Sequence, residues 1–88
     1  MKKTVIDGVN YYPHSNGGGL VAETAIVSKN VYIGLNAKVS GNAKVSDHAK
    51  VSGHAKVWGH VIVSDHAKVS GHTIVSGHTR VSGHEKIL

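Results

Sequence analysis

Aliphatic residues recur at every sixth position from residue 21 to residue 87. The twelve positions are Val21, Val27, Ile33, Val39, Val45, Val51, Val57, Val63, Val69, Val75, Val81 and Ile87. From residue 25 onwards, a small or modest residue stands two places before each of them, with Glu85 as the exception. A residue that is most often lysine separates the two, and this alternation predicts short strands of three or four residues.

The residues between successive strands are typical of turns. Four of the eleven turns carry Ser-Gly-His, and four more differ from it at one residue, among them the two in which Asp47 and Asp65 replace the glycine. Glycine adopts positive φ freely, and aspartate does so more easily than most residues. We therefore expect the same turn, with one residue at positive φ, after each strand.

A helix does not fit this pattern, because residues six apart form no stripe on a helix of 3.6 residues per turn and glycine is too frequent. A repeat of six residues is also too short to bury an apolar face by itself. Stacked repeats that share one core satisfy both constraints. The sequence therefore predicts an all-β parallel solenoid.

The repeats of residues 20–88 resemble the hexapeptide repeat of left-handed parallel β-helices, in which an aliphatic residue is followed four places later by a small one. The resemblance implies a left-handed parallel β-helix with three repeats in each triangular coil, and hence about four coils. Neighbouring coils would be about 4.8 Å apart, as strands are in any sheet. Residues eighteen apart would then lie directly above one another.

Residues 1–19 do not follow the repeat. The β-prone segments 4–6 and 9–12 flank Asp7-Gly8, and this order predicts a β-hairpin. Solenoids need their open ends covered, so we interpret this segment as an N-terminal cap, with an anchor to a partner as the alternative. At the other end Glu85 occupies an inward position, which suggests that the last coil frays unless something covers its open sheet edge.

Seven histidines share one turn position, and asparagine fills that position in earlier repeats. They are His48, His54, His60, His66, His72, His78 and His84. We interpret them as turn residues whose rings stack outside the coil. The alternative is metal binding, with His48, His66 and His84, on one edge, as candidate ligands. Because no carboxylate or further ligand converges on them in the repeat, we assign neither a metal nor a cofactor.

Charge changes this picture in two ways. Protonation of all eight histidines would raise the net charge from +5 to +13, so acid should loosen the rod. The repeat places Lys50, Lys68 and Lys86 on one face and two basic residues on each of the others. Because this charge is spread over three faces, we interpret the lysines as solvated residues that block edge aggregation, in preference to a binding site for an anionic partner. No row of aromatic residues accompanies them, which disfavours nucleic acid as a partner.

Three outward positions break the rule of the repeat. Ile62 and Ile74 stand where lysine is usual, and Trp58 replaces a serine. The period of eighteen puts Trp58 and Ile74 on one face in neighbouring coils, beside Lys56. Exposed tryptophan and isoleucine are typical anchors of protein interfaces. We predict that Trp58, Ile74, Lys56 and Ile62 contact a partner or the other subunits of a homo-oligomer, with a trimer as the favoured assembly.

Composition agrees with a small rod-like protein. The chain has 88 residues, no cysteine and 5% aromatic residues, and a domain of this size buries only about 60–65% of its unfolded surface. Oligomerisation is therefore expected to support stability. Because the sequence holds no apolar run that could span a bilayer and no signal-peptide core, we expect a cytoplasmic protein without a membrane partner, in the host cytoplasm if a phage encodes it.

Many hexapeptide-repeat β-helices are acyltransferases, and one branch consists of zinc-dependent carbonic anhydrases. The resemblance to them implies an active site between the subunits of a trimer, completed by a loop that leaves the coils. No insertion interrupts residues 20–88 here, and seven histidines in equivalent positions are typical of a structural role. We therefore predict no enzymatic activity and no catalytic residue.

Repeats such as Gly41-Asn42-Ala43-Lys44-Val45-Ser46, after Gly18-Gly19-Leu20-Val21, more closely resemble those of uncharacterised phage, prophage and bacterial proteins. This resemblance implies a binding or structural module. Our first hypothesis is a non-enzymatic interaction protein that presents a rigid surface to a macromolecular partner, as an inhibitor of a host protein or a component of a virion. The alternative is a metal-binding, acyltransferase-like or carbonic-anhydrase-like trimer with histidines at subunit interfaces. The irregular first 36 residues disfavour a third possibility, an engineered consensus rod.

Overall fold

Short strands stacked in three columns make up most of the molecule. The computed structural model describes residues 3–87, so Met1, Lys2 and Leu88, at the ends of the two predicted segments, lie outside the described residues. Within 3–87 the secondary structure consists of strands and turns without a helix, and thus without a helix that could cross a membrane. The predicted all-β parallel solenoid is confirmed.

Fourteen strands follow one another between residues 3 and 87. Their bounds are β1 Thr4–Ile6, β2 Val9–Pro13, β3 Leu20–Ala22, β4 Ile26–Val27, β5 Tyr32–Ile33, β6 Lys38–Val39, β7 Lys44–Val45, β8 Lys50–Val51, β9 Lys56–Val57, β10 Ile62–Val63, β11 Lys68–Val69, β12 Ile74–Val75, β13 Arg80–Val81 and β14 Lys86–Ile87. They form sheet A in the order β1-β2-β3-β6-β9-β12, sheet B in the order β4-β7-β10-β13, and sheet C in the order β5-β8-β11-β14.

The register of these sheets confirms the period of eighteen. Lys38 pairs with Lys56 in sheet A, and Lys50 pairs with Lys68 in sheet C, each in a parallel arrangement. Three successive strands from β3 onwards advance the chain by one coil, so the repeats form about four coils. The left-handed sense of the coil stays a prediction from the family resemblance.

From β4 onwards each repeat contributes a strand of two residues, so the predicted length of three or four is wrong for these repeats, while β3 has three. In several repeats the residue before the strand gives its amide hydrogen to the turn instead of the ladder. The N–H of Ala55 donates to the carbonyl of Ser52 at 3.4 Å, and that of Ala67 donates to Ser64 at 3.2 Å. The outward residue and the following valine are therefore left to pair in register.

From Gly41 onwards the turns confirm the predicted positive φ, but in the first three turns the prediction is wrong, since Glu23, Lys29 and Leu35 are not at positive φ. Asp47 and Asp65 have φ of 62° and 59°, close to the 66° of Gly53 in the same place. On the edge that carries Gly53 and Gly71, glycine is favoured for a second reason, whereas the edge of Asp47 and Asp65 accommodates a β-carbon. A β-carbon added at Gly53 would lie 2.7 Å from the backbone nitrogen of Gly71 in the next coil.

The core is a narrow column of valine and alanine side chains inside the coils. The inward residues from Val31 to Val69 are 0–2% exposed. Burial is less complete at both ends, where Val21, Val27 and Ile87 are partly exposed. Glu85, although at an inward position of the repeat, is exposed, and its Oε1 accepts the N–H of Ser82 at 3.1 Å. The carboxylate thus stays out of the core.

The N-terminal segment extends sheet A by two strands and lays a loop along the edge of sheet C. The predicted hairpin is confirmed, since β1 and β2 pair antiparallel around Asp7 and Gly8, both at positive φ. Strand β2 continues antiparallel to β3, and Tyr11 is buried there. The following loop lies along β5, where the N–H of Gly19 donates to the carbonyl of Ile33 at 2.9 Å. The segment covers the first edges of sheets A and C, while β4 remains an edge strand of sheet B.

Glycine has two roles in the turns, because it adopts positive φ and it leaves space for the next coil. Alanine substitutions at a glycine that faces a following coil and at one that does not distinguish these roles. Gly53 and Gly83 have φ of 66° and 65°, but only Gly53 faces a following coil in the described structure. We expect Gly83→Ala to lower the free energy of unfolding by ~1–2 kcal/mol through backbone strain. Gly53→Ala should cost ~1–3 kcal/mol more, because the methyl group forces neighbouring coils apart.

Urea denaturation followed by circular dichroism measures both free energies. The aspartate that naturally occupies this place gives a further control, since Gly83→Asp should be tolerated at least as well as Gly83→Ala. Equal losses for Gly53→Ala and Gly83→Ala would show that coil-to-coil contact does not constrain this position.

Candidate functional site

The outward side chains give the three sheets different chemistry. Pairing in register forms one outward column on each sheet. The columns are Leu20, Lys38, Lys56 and Ile74 on sheet A; Ile26, Lys44, Ile62 and Arg80 on sheet B; and Tyr32, Lys50, Lys68 and Lys86 on sheet C. The three predicted lysine groups are therefore where the repeat placed them.

Sheet A brings together three of the four residues predicted at an interface. Ile74 pairs with Lys56 in the neighbouring strand and is 61% exposed. Trp58 directly follows β9, is 47% exposed, and its backbone N–H donates to the carbonyl of Val75 at 3.0 Å. We call Trp58, Ile74 and Lys56 the tryptophan patch. It joins two large apolar side chains to the apolar stem of a lysine on one flat face.

Ile62 does not belong to the tryptophan patch. It lies on sheet B between Lys44 and Arg80, in the strands on either side, and is only half-buried. The aliphatic stems of lysine and arginine can cover a neighbouring apolar side chain, which agrees with the partial burial of Ile62. The fourth predicted interface residue is therefore on a different face from the other three.

Other exposed apolar side chains escaped the sequence prediction. Ile26 on sheet B is 62% exposed, and Leu35, in the turn after β5, is 74% exposed. Leu35 stands where later repeats carry glycine, and Ile26 stands where they carry lysine. Both departures are visible in the sequence, but the early repeats vary at so many positions that neither stands out.

The histidine rings form stacked columns on the outside of the coil, as predicted for turn residues. The distances between ring centroids are 5.3 Å for His48 and His66, and 5.1 Å for His66 and His84. The other two edges carry His54 with His72 at 4.8 Å and His60 with His78 at 4.9 Å. The planes of the paired rings are within 8° of parallel.

This geometry brings His48, His66 and His84 together without aiming them at one point. Parallel stacked rings direct their nitrogen lone pairs side by side. A transition ion bonded to two imidazoles at about 2.1 Å each needs nitrogens within about 4.2 Å of one another. Within residues 3–87 there is no group of three or more His, Asp or Glu side chains that could hold a metal ion.

A shallow cavity of about 340 Å³ lies beside the N-terminal segment. Pro13, His14 and Glu23 line one part of it, and the partly exposed core residues Val21 and Val27 line another. The cavity marks the place where the first coil has no coil before it. His14 is held at its rim because its Nε2 donates to the carbonyl of Val31 at 2.7 Å.

Comparison with protein-family models, with curated proteins and with solved structures found no match to this chain. Its function is therefore argued from the repeats and from the surface that they build.

Proposed function

We propose that this chain is a non-enzymatic structural or interaction protein, related to phage or prophage proteins, that presents a rigid β-helical surface to a macromolecular partner. The partner is a host protein or a virion component. The tryptophan patch carries this proposal, because it combines Trp58 at 47% exposure with Ile74 at 61% exposure on one face. Tryptophan is among the residues most enriched in the energetic centre of protein interfaces.

The backbone beneath the patch favours recognition without rearrangement. Strands β9 and β12 pair in register, and the N–H of Lys56 donates to the carbonyl of Thr73 at 2.9 Å. Val57 and Val75 anchor the same strands in the core at 0% and 4% exposure. A surface held in this way loses little conformational entropy when a partner binds.

The size of the molecule also agrees with a role in binding. A standard interface buries about 800 Å² on each partner, which is less than a fifth of the 5121 Å² accessible surface of the chain. One of the three lateral faces can supply that area. We propose that sheet A is this face, and that it also mediates a homo-oligomer, with a trimer as the favoured assembly.

We assign no catalytic residue because the coils are regular. Strands β3–β14 recur every six residues, so no long loop leaves the repeats between 20 and 87. The enzymes that the repeats resemble draw part of their active site from such a loop. We therefore propose a binding role for the chain, in the host cytoplasm if a phage encodes it.

Ile74→Lys tests the tryptophan patch against a matched change on another face. Ile26 is as exposed as Ile74, at 62% against 61%, and occupies the equivalent outward position on sheet B. We expect Ile74→Lys to weaken assembly at least tenfold, because burying an added charge is unfavourable. Ile26→Lys should leave assembly unchanged.

Analytical ultracentrifugation measures the mass of the assembly. Tryptophan fluorescence shows whether the tryptophan patch is buried in it. Trp58 is the single tryptophan of the chain, so its emission should shift to shorter wavelength as the concentration rises and the patch becomes buried. If the protein assembles without this shift, or if Ile26→Lys disrupts it equally, the contact lies elsewhere.

Capture from host lysate tests the partner. A specific protein retained by the unmodified chain and by Ile26→Lys, but lost with Trp58→Ala/Ile74→Lys, would support a heterologous partner on sheet A. Retention by all three proteins would place the partner on another face and contradict the proposal.

A further inference from the structure

Sheet C carries a groove whose lining distinguishes it from the rest of the surface. Lys50, Lys68 and Lys86 pair in register in three consecutive strands. The stacked rings of His48, His66 and His84 run beside them, and these six side chains line a groove of about 440 Å³. The groove is therefore a continuous double row of nitrogen-bearing side chains along the axis of the solenoid.

The groove continues towards the N-terminal end of sheet C. A second cavity of about 410 Å³ shares His48 and Lys50 with the first and extends it to Asn30 and Tyr32. Tyr32 pairs with Lys50 in register and is 37% exposed. The whole groove spans four strands, or about 14 Å at the spacing of neighbouring strands.

The carboxylates nearest the histidine column are engaged with the backbone. Oδ2 of Asp47 accepts the N–H of Asp65 at 3.2 Å, and Oδ2 of Asp65 accepts the N–H of Gly83 at 3.1 Å. Glu85 accepts the N–H of Ser82 at 3.1 Å. These three acidic groups offset the charge of the lysines at a distance, but none of them lines the groove.

Sheets A and B do not offer the same arrangement. On sheet B, Ile62 separates Lys44 from Arg80, and on sheet A the column ends in Ile74 beyond Lys38 and Lys56. Neither of these columns contains three consecutive lysines. Sheet C thus differs from the other two in having three lysines in consecutive strands, against two outward basic residues on each of the others.

We propose that the groove on sheet C binds a linear oligophosphate, with successive phosphates held between a lysine ammonium and the edge of an imidazole ring. Ring stacking occupies the faces of the imidazoles but leaves His48, His66 and His84 exposed, so their edges can donate to an anion. Lysine and protonated histidine both form charge-assisted hydrogen bonds to phosphate oxygens. This binding site lies on a different face from the tryptophan patch and is independent of it.

The spacing of the cations favours a phosphate chain over an acidic peptide. The lysines recur at the distance between strands, about 4.8 Å. Carboxylates on one side of an extended peptide recur about 6.8 Å apart, so they fall out of register with the lysines within two positions. A flexible chain with a charge on every phosphate can place one anion at each lysine.

The aromatic content of the groove disfavours single-stranded nucleic acid. Such ligands gain much of their affinity from bases stacked on aromatic side chains. In the groove Tyr32 stands at one end, and the histidine faces are already occupied by one another. An oligophosphate has no bases and needs no such platform.

Isothermal titration with short-chain sodium polyphosphate tests the proposal at fixed ionic strength. We expect Lys68→Gln/Lys86→Gln to weaken binding about tenfold or more, through loss of two adjacent charge-assisted contacts. Lys44→Gln/Arg80→Gln on sheet B is the matched control, because it also removes two basic side chains from one sheet, outside both the groove and the tryptophan patch. Its affinity should fall less than about threefold. Equal losses for the two variants would overturn the site, since binding would then reflect net charge.

Histidine and ligand controls complete the test. His66→Asn should weaken polyphosphate binding, because it removes an imidazole N–H donor from the groove lining, whereas His54→Asn, on another edge, should not. Oligothymidylate and polyglutamate of matched charge should bind more weakly than polyphosphate. Equal or tighter binding of either polymer, absence of polyphosphate binding, or binding that is undiminished in His66→Asn would contradict the proposal.

Discussion

Hydrogen bonds between successive coils are the interaction on which the rest of this structure depends. From residue 38 to residue 70, the amide of the outward residue donates to a carbonyl seventeen residues later, as in Lys38 to Ala55 and Lys50 to Ala67, both at 3.0 Å. These bonds set the distance between coils and place residues eighteen apart above one another. A two-residue strand is too short to be stable by itself, and it persists here because each sheet stacks the same pair of residues repeatedly.

Exact stacking has an electrostatic cost on the outside of the coil. Like residues come to lie one strand apart, so lysine pairs with lysine on sheet C and imidazole stacks on imidazole along each edge. Like charges in such positions repel. The buried valine and alanine column offsets this repulsion, since the inward residues are completely excluded from water through the middle coils. The same stacking that strains the surface therefore builds the core.

The residues that depart from the repeat determine whether each face of the solenoid is apolar or cationic. Ile74 and Trp58 convert part of sheet A into an apolar patch, while Ile62 on sheet B only interrupts a basic column. Sheet C keeps three consecutive lysines and gains a groove beside the histidines. A repeat in which all units were identical would present three equivalent faces. The few substituted positions give this molecule a distinct apolar side and a distinct cationic side.

The sequence by itself determined the solenoid, its period of eighteen, the inward column from Val31 to Val69 and the residues at positive φ from Gly41 onwards, because each follows from local chemistry repeated without insertion. It also placed Trp58 beside Ile74, since register in a stacked repeat is simple arithmetic. Only the tertiary structure decided the length of the strands, because the amide of Ala55 donates to Ser52 in the turn instead of to the ladder, which composition does not reveal. It also decided that Glu85 turns outwards to meet Ser82 and that the histidine and lysine columns enclose a groove. These features depend on side-chain directions and on the distance between neighbouring columns, which a linear pattern of residues does not contain.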